Sequence, residues 1–126
     1  MRLEQMNAYR EIILENIEYD SLLLQYPYEH ELIDGIVDLM LETVAASGES
    51  ILIASNQYPA QIVKSKLLKL NYSHICYVID CFDGNTTKVR NIKKYLLAAL
   101  FNAPTTMSGY YRAEVNHDMP QFAKVR

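Results

Sequence analysis

The chain has 126 residues, half of them hydrophobic, with 12 basic and 15 acidic side chains and a formal net charge of −3. That length suits one buried core, and the acidic balance argues against a dedicated nucleic-acid binder. The opening MRLEQMNAYREI has no long apolar run, and nothing approaches the roughly 18 to 20 apolar residues of a membrane span, so a soluble, cytoplasmic protein with no membrane partner is expected.

From Leu3 to about Ile17, residues Met6, Ile13 and Ile17, with Tyr9 and Ile12 beside them, follow helical spacing. A short helical turn, Asp20 to Gln25, comes next and closes at Pro27, which pushes Tyr26 out of the α region. Between Tyr28 and Ala46 the stripe Leu32, Ile33, Ile36, Val37, Met40 and Val44 opposes Glu31, Asp34, Asp38 and Glu42, and Ser47-Gly48 ends this amphipathic helix. Ile51 to Ile53, bounded by Gly48 and by Ser55-Asn56, reads as a short strand or extended segment. A lone strand is unstable, so it needs a partner, either the same segment of a second subunit or another piece of this chain.

Pro59 suits the first turn of a helix reaching about Leu70, with Ile62, Val63 and Leu67 inward and Lys64, Lys66 and Lys69 outward. Asn71 is the expected N-cap of a helix that gathers Tyr72, Ile75, Cys76, Ile79 and Phe82 on one face, and Asp83-Gly84-Asn85 breaks it. Thr86 or Thr87 would cap the following helix, which buries Val89, Ile92, Leu96, Ala99 and Leu100 and stops at Pro104. A last helix, about Thr105 to Val115, holds Met107, Tyr110, Tyr111 and Val115, with fraying from Asn116. The fold class expected is mainly α: a compact bundle of six or seven helices with one short extended or β segment around Ile51–Ile53. It would form a single domain over residues 1–118, followed by a flexible tail, 119–126.

Charge divides along the chain. Residues 1–49 carry eleven acids against Arg2 and Arg10, a balance of −9, whereas residues 50–101 carry seven bases against Asp80 and Asp83, a balance of +5. An acidic half and a basic half imply different neighbours. Cys76 and Cys81, five apart in a predicted helix, diverge too far around it for a disulfide, and free thiols agree with a reducing compartment.

Chemical motifs are scarce. The glycines are isolated at 35, 48, 84 and 109, so no phosphate-binding loop, dinucleotide fingerprint or nucleophile elbow occurs. His74, Cys76, Asp80 and Cys81 lack metal-ligand spacing, and Glu11, Glu15 and Glu18 read as an exposed acidic face rather than a cation site. No enzyme activity, cofactor or metal is expected. Tyr72, Tyr77, Tyr95, Tyr110 and Tyr111 could serve an interface or stack on unpaired bases, or could line the edge of the core. Lys88, Arg90, Lys93 and Lys94 fall in the first two turns of a predicted helix, where each opposes the macrodipole by a few tenths of a kcal/mol. An anion outside would explain them, as phosphate binding at a helix start does; a solvated face is the alternative.

The runs NIEYDSLLLQYP and ELIDGIVDLMLETV, then YPAQIVKSKLLKLNYSHICYVIDCFDGNTTKVRNIKKYLLAALFNAP and YYRAEVNHDM, together resemble the C-terminal domain of replication initiator A proteins of Gram-positive plasmids and conjugative elements. The likeness is strongest from Tyr58 to Pro104. Those domains are in turn similar to the DnaD-like helical domain of primosome proteins, through Asn71, Tyr72, Ile75, Ile79, Phe82, Gly84 and Thr86, with Phe82 standing where tryptophan is common. The resemblance implies a non-enzymatic replication domain in which Lys88, Arg90, Lys93 and Lys94, helped by Lys64, Lys66 and Lys69, contact DNA phosphates without reading bases. It equally implies recruitment of a host primosome protein. The competing expectation is a protein-interaction or dimerisation module with no direct DNA contact, in which the acidic helix or Ile51–Ile53 pairs with a partner or a second copy.

Overall fold

A computed structural model describes residues 2–84 and 91–118, with side chains through residue 109. Among them are six helices and one two-stranded antiparallel sheet, a mainly α compact fold. The helices are α1 (Leu3–Asn16), α2 (Tyr19–Gln25), α3 (His30–Ala45), α4 (Ala60–Leu68), α5 (Tyr72–Asp83) and α6 (Ile92–Asp118); the strands are β1 (Ser50–Ile53) and β2 (Asn56–Pro59).

Helix α3 is the centre, because its apolar residues exceed a single stripe. Ile33, Ile36, Val37, Leu39, Met40, Leu41 and Val44 are all buried, so α1, α2, α4 and α6 can each pack against it. Its one buried polar side chain, Thr43, donates from Oγ1 to the Leu39 carbonyl at 2.7 Å and so leaves no orphan hydroxyl. Ile13 and Ile17, Leu22, Val63 and Leu67, Ile75 and Ile79, and Leu96 and Leu100 complete one continuous core. The chain leaving α2 is tied to α5, where the Tyr26 hydroxyl donates to Asp80 Oδ1 at 3.0 Å. Burial, with hydrogen bonds to the Cys76 carbonyl and to Asp80, pushes the Tyr26 phenol far above its ordinary pKa.

Ile51–Ile53 finds its partner inside the chain. β1 pairs with β2 in the register Ser50↔Pro59 to Ile53↔Asn56, and the Ala60 N–H closes the base on the Glu49 carbonyl at 2.8 Å. The two loop residues, Ala54 and Ser55, both have positive φ, 50° and 71°, as a type I′ turn demands. Pairing with a second subunit is therefore not needed to complete the strand. The turn is built without the Asn-Gly that announces such hairpins, and Pro59, expected in the first helical turn, ends β2 and caps α4.

Helix α5 starts as expected. Asn71 Oδ1 accepts the His74 N–H at 3.1 Å, and His74 Nδ1 accepts the Asn71 N–H at 3.1 Å, a reciprocal capping box. Helix α6 departs from expectation at both ends. It begins at Ile92, where Asn91 Oδ1 accepts the Lys94 N–H at 2.9 Å, and the expected helix residues Lys88 and Arg90 lie outside the described residues. The proposed caps Thr86 and Thr87, and Val89, lie outside the described residues.

Pro104 does not stop α6, which continues to Asp118, past the Asn116 where fraying was expected. Proline removes one backbone donor, but Leu100, Phe101 and Ala103 are buried just before it and hold the helix on the core. The two helices expected on either side of Pro104 are thus one of 27 residues. No helix among the described residues is long and apolar enough to cross a membrane.

Candidate interaction surface

Of the seven cations expected to meet phosphates, the five that are described lie along α4, at its end and at the start of α6, in different surroundings. Lys88 and Arg90 lie outside the described residues. Lys93 and Lys94 follow one another in the first turn of α6 and diverge by about 100° around it. Lys93 Nζ donates to Glu42 Oε1 of α3 at 2.6 Å, whereas Lys94 sits beside the hairpin turn with Leu52, Ile53 and Ser55. Lys64 Nζ donates to the Ala46 carbonyl at 2.7 Å, satisfying the C-terminal end of α3, as a cation near a helix C-terminus does. The Lys66 ammonium rests 4.3 Å from the centre of the Phe101 ring, itself stacked at an angle on Tyr58 with centroids 4.8 Å apart. Lys69 is exposed at the end of α4.

Between α3, the end of α5 and the start of α6 lies an open groove of about 580 Å³. Leu32, Gly35 and Leu39 supply it from α3, Phe82 from α5, and Ile92 and Leu96 from α6. At 3.6 residues per turn, Glu31, Asp38 and Glu42 form a straight row along α3 on the wall opposite α6. Leu32 and Leu39 stand some 80° to 100° further round, toward α6, and make the floor. Gly35 falls between row and floor, and a Cβ placed on it would meet nothing within 4 Å. The missing side chain therefore widens the groove in the middle of its length. Ile92 remains 51% exposed on the far wall, while the exposed Lys93–Glu42 pair closes one end.

The sequence marks the groove poorly, because Leu32 belongs to the core stripe as well as to the groove and Gly35 reads only as an isolated glycine. Their spacing at i, i+3 and i+7 with Leu39 was the available signal.

Other polar clusters hold elements together. Tyr19 Oη donates to Asp34 Oδ1 at 2.5 Å, with His30 Nε2 at 3.3 Å from Asp34 Oδ2, and Arg10 reaches Asp38 at 3.7 Å. The hydrogen bond to Asp34 is the main cause that raises the Tyr19 phenol. Burial, followed by the neighbouring Asp83, raises the Glu29 carboxyl, and burial lowers His74. Among the described residues no three His, Cys, Asp or Glu side chains gather as a metal site would require, and no disulfide joins Cys76 to Cys81. Tyr95 packs on Phe82 with centroids 5.9 Å apart, and Tyr72 and Tyr77 also lie against the core, in the packing role weighed for these tyrosines. The side chains of Tyr110 and Tyr111 lie outside the described residues.

Compared with known proteins, a family model described as a family of unknown function (DUF6017) matches residues 1–121. No curated protein and no solved structure matches.

Proposed function

The chain belongs to DUF6017, and we propose that it is a non-enzymatic accessory domain of a plasmid or mobile-element replication initiator that docks a partner protein in the α3–α6 groove, without direct contact to DNA. The replication setting rests on the resemblance of Tyr58 to Pro104 to replication initiator A domains. The docking role rests on one observation: an apolar groove lies open on the surface while Lys64, Lys66 and Lys93 are occupied within the fold. Phosphate contacts need several free cations acting together, because each neutralised phosphate contributes its own counterion release. A groove with an apolar floor and a charged rim instead has the anatomy of a surface that receives a helix.

The deciding experiment is maintenance of the encoding element in cells carrying variants of the full-length initiator. Gly35→Leu fills the groove and is expected to abolish maintenance with the fold intact, whereas Lys69→Glu with Lys94→Glu leaves copy number unchanged. The opposite pattern would move the function to the cations and refute the docking role.

A further inference from the structure

The backbone around the groove constrains what can fill it. Helix α3 supplies the floor, and from Ile33 onward its N–H groups are paired along its own axis, so the groove presents no strand edge. An extended segment laid there would carry unpaired N–H and C=O groups into an apolar trough, which is unfavourable. A helix arrives with its backbone already paired. From Glu31 to Glu42 the wall rises about 16 Å, roughly three turns, a length of contact that suits one helix face.

The wall carries its charge unevenly. Of its three carboxylates, Asp38 lies 3.7 Å from Arg10 and Glu42 accepts from Lys93, whereas Glu31 is exposed and joins no ion pair among the described residues. Glu31 stands one turn before Gly35, about 6 Å along the axis. The negative charge left to a partner is therefore at one end of the groove, one turn from the opening that Gly35 provides.

We propose that the occupant of the groove is an amphipathic helix of a partner protein, carrying a large apolar side chain with a lysine or arginine one turn away. The apolar side chain enters beside Gly35, between Leu32 and Leu39, and the cation meets Glu31. The inference rests on the docking role of the groove and adds the class of its partner. At the far end Lys93 already neutralises Glu42, so a second cation there has nothing to meet, and charge sets which way round the helix lies.

Selection from a displayed library of alanine-rich helices, about four turns long with one face randomised, tests this. The full chain is the bait and Gly35→Leu the counter-bait, so that only helices seated in the groove are kept; circular dichroism checks that each bait is folded. The helices recovered are expected to pair a large apolar residue with a lysine or arginine one turn away, always on the same side of it. A Glu31→Arg bait should recover an acidic residue at that position instead. In fluorescence anisotropy, a helix selected on wild type should bind Glu31→Arg about fivefold more weakly and loosen as salt rises. Groove binders without a basic preference, or with the same preference on Glu31→Arg, overturn the partner class and leave the docking role standing. Recovery of no helix that distinguishes wild type from Gly35→Leu overturns a helical occupant, and the Gly35→Leu maintenance assay then decides separately whether the groove docks a partner.

Discussion

Replacing Gly35 by alanine should stabilise the protein. Gly35 lies inside α3, the most deeply buried helix, flanked by Ile33, Ile36 and Val37. Glycine in a helix interior is about 0.8 to 1.0 kcal/mol less favourable than alanine, because its backbone loses more freedom on folding. Usually such a gain is offset by a clash, but here an added Cβ meets nothing within 4 Å. No contact is broken and none of consequence is made, so nearly the whole propensity difference should survive. About 1 kcal/mol corresponds to a rise in Tm of roughly 3 to 5 °C for a domain of this size. Thermal unfolding followed by circular dichroism would show the rise, and urea titration should give a higher midpoint with an unchanged slope. A lower Tm for Gly35→Ala would refute the reasoning, since it would mean that the site is not open as described.

Lys64→Met keeps the aliphatic stem but removes the donor to the Ala46 carbonyl, and should lower stability by about 1 kcal/mol in urea titration; no loss would show that water replaces the lysine at the end of α3. His74 carries a pH dependence of definite sign. Its pKa is lowered by burial, and Nδ1 must be unprotonated to accept the Asn71 N–H, so its stabilising effect is complete above the ordinary histidine value near 6.5 and is lost as pH falls through the lower folded value. His74→Gln, which can still accept that hydrogen bond, should flatten the stability profile in this window, and an unchanged profile would assign the dependence to other groups.

Periodicity made the helices legible because each buries one face: the α3 stripe and the Asn71 cap could be read directly from residue order. The hairpin could not be read fully, since Ala54 and Ser55 adopt positive φ without a residue type that favours it, and Asn56-Gln57-Tyr58 has no apolar run to mark a strand. Pro104 misled because its local preference is overridden by tertiary burial of Leu100, Phe101 and Ala103. For the surface, residue type showed that cations were present but not their engagement. The pairing of Lys93 with Glu42 spans 51 positions, and the seat of Lys66 on Phe101 joins different helices. Gly35 and its neighbours could be counted along the sequence, but the far wall of the groove, Ile92 and Leu96, is brought opposite them only by the packing of α6 on α3.

The passage of α6 through Pro104 also has a mechanical meaning. At 1.5 Å per residue the helix is about 40 Å long, a rod that begins at the groove. Its first half is clamped by Leu96, Leu100 and Phe101. At Pro104 the ladder loses the rung that would join residue 104 to the Leu100 carbonyl, which makes this the point of least bending stiffness. Thr106 Oγ1 splints the adjoining turn by donating to the Asn102 carbonyl at 2.9 Å. A lateral force on the distal half is therefore taken up as flexure at Pro104 and reaches the groove greatly reduced.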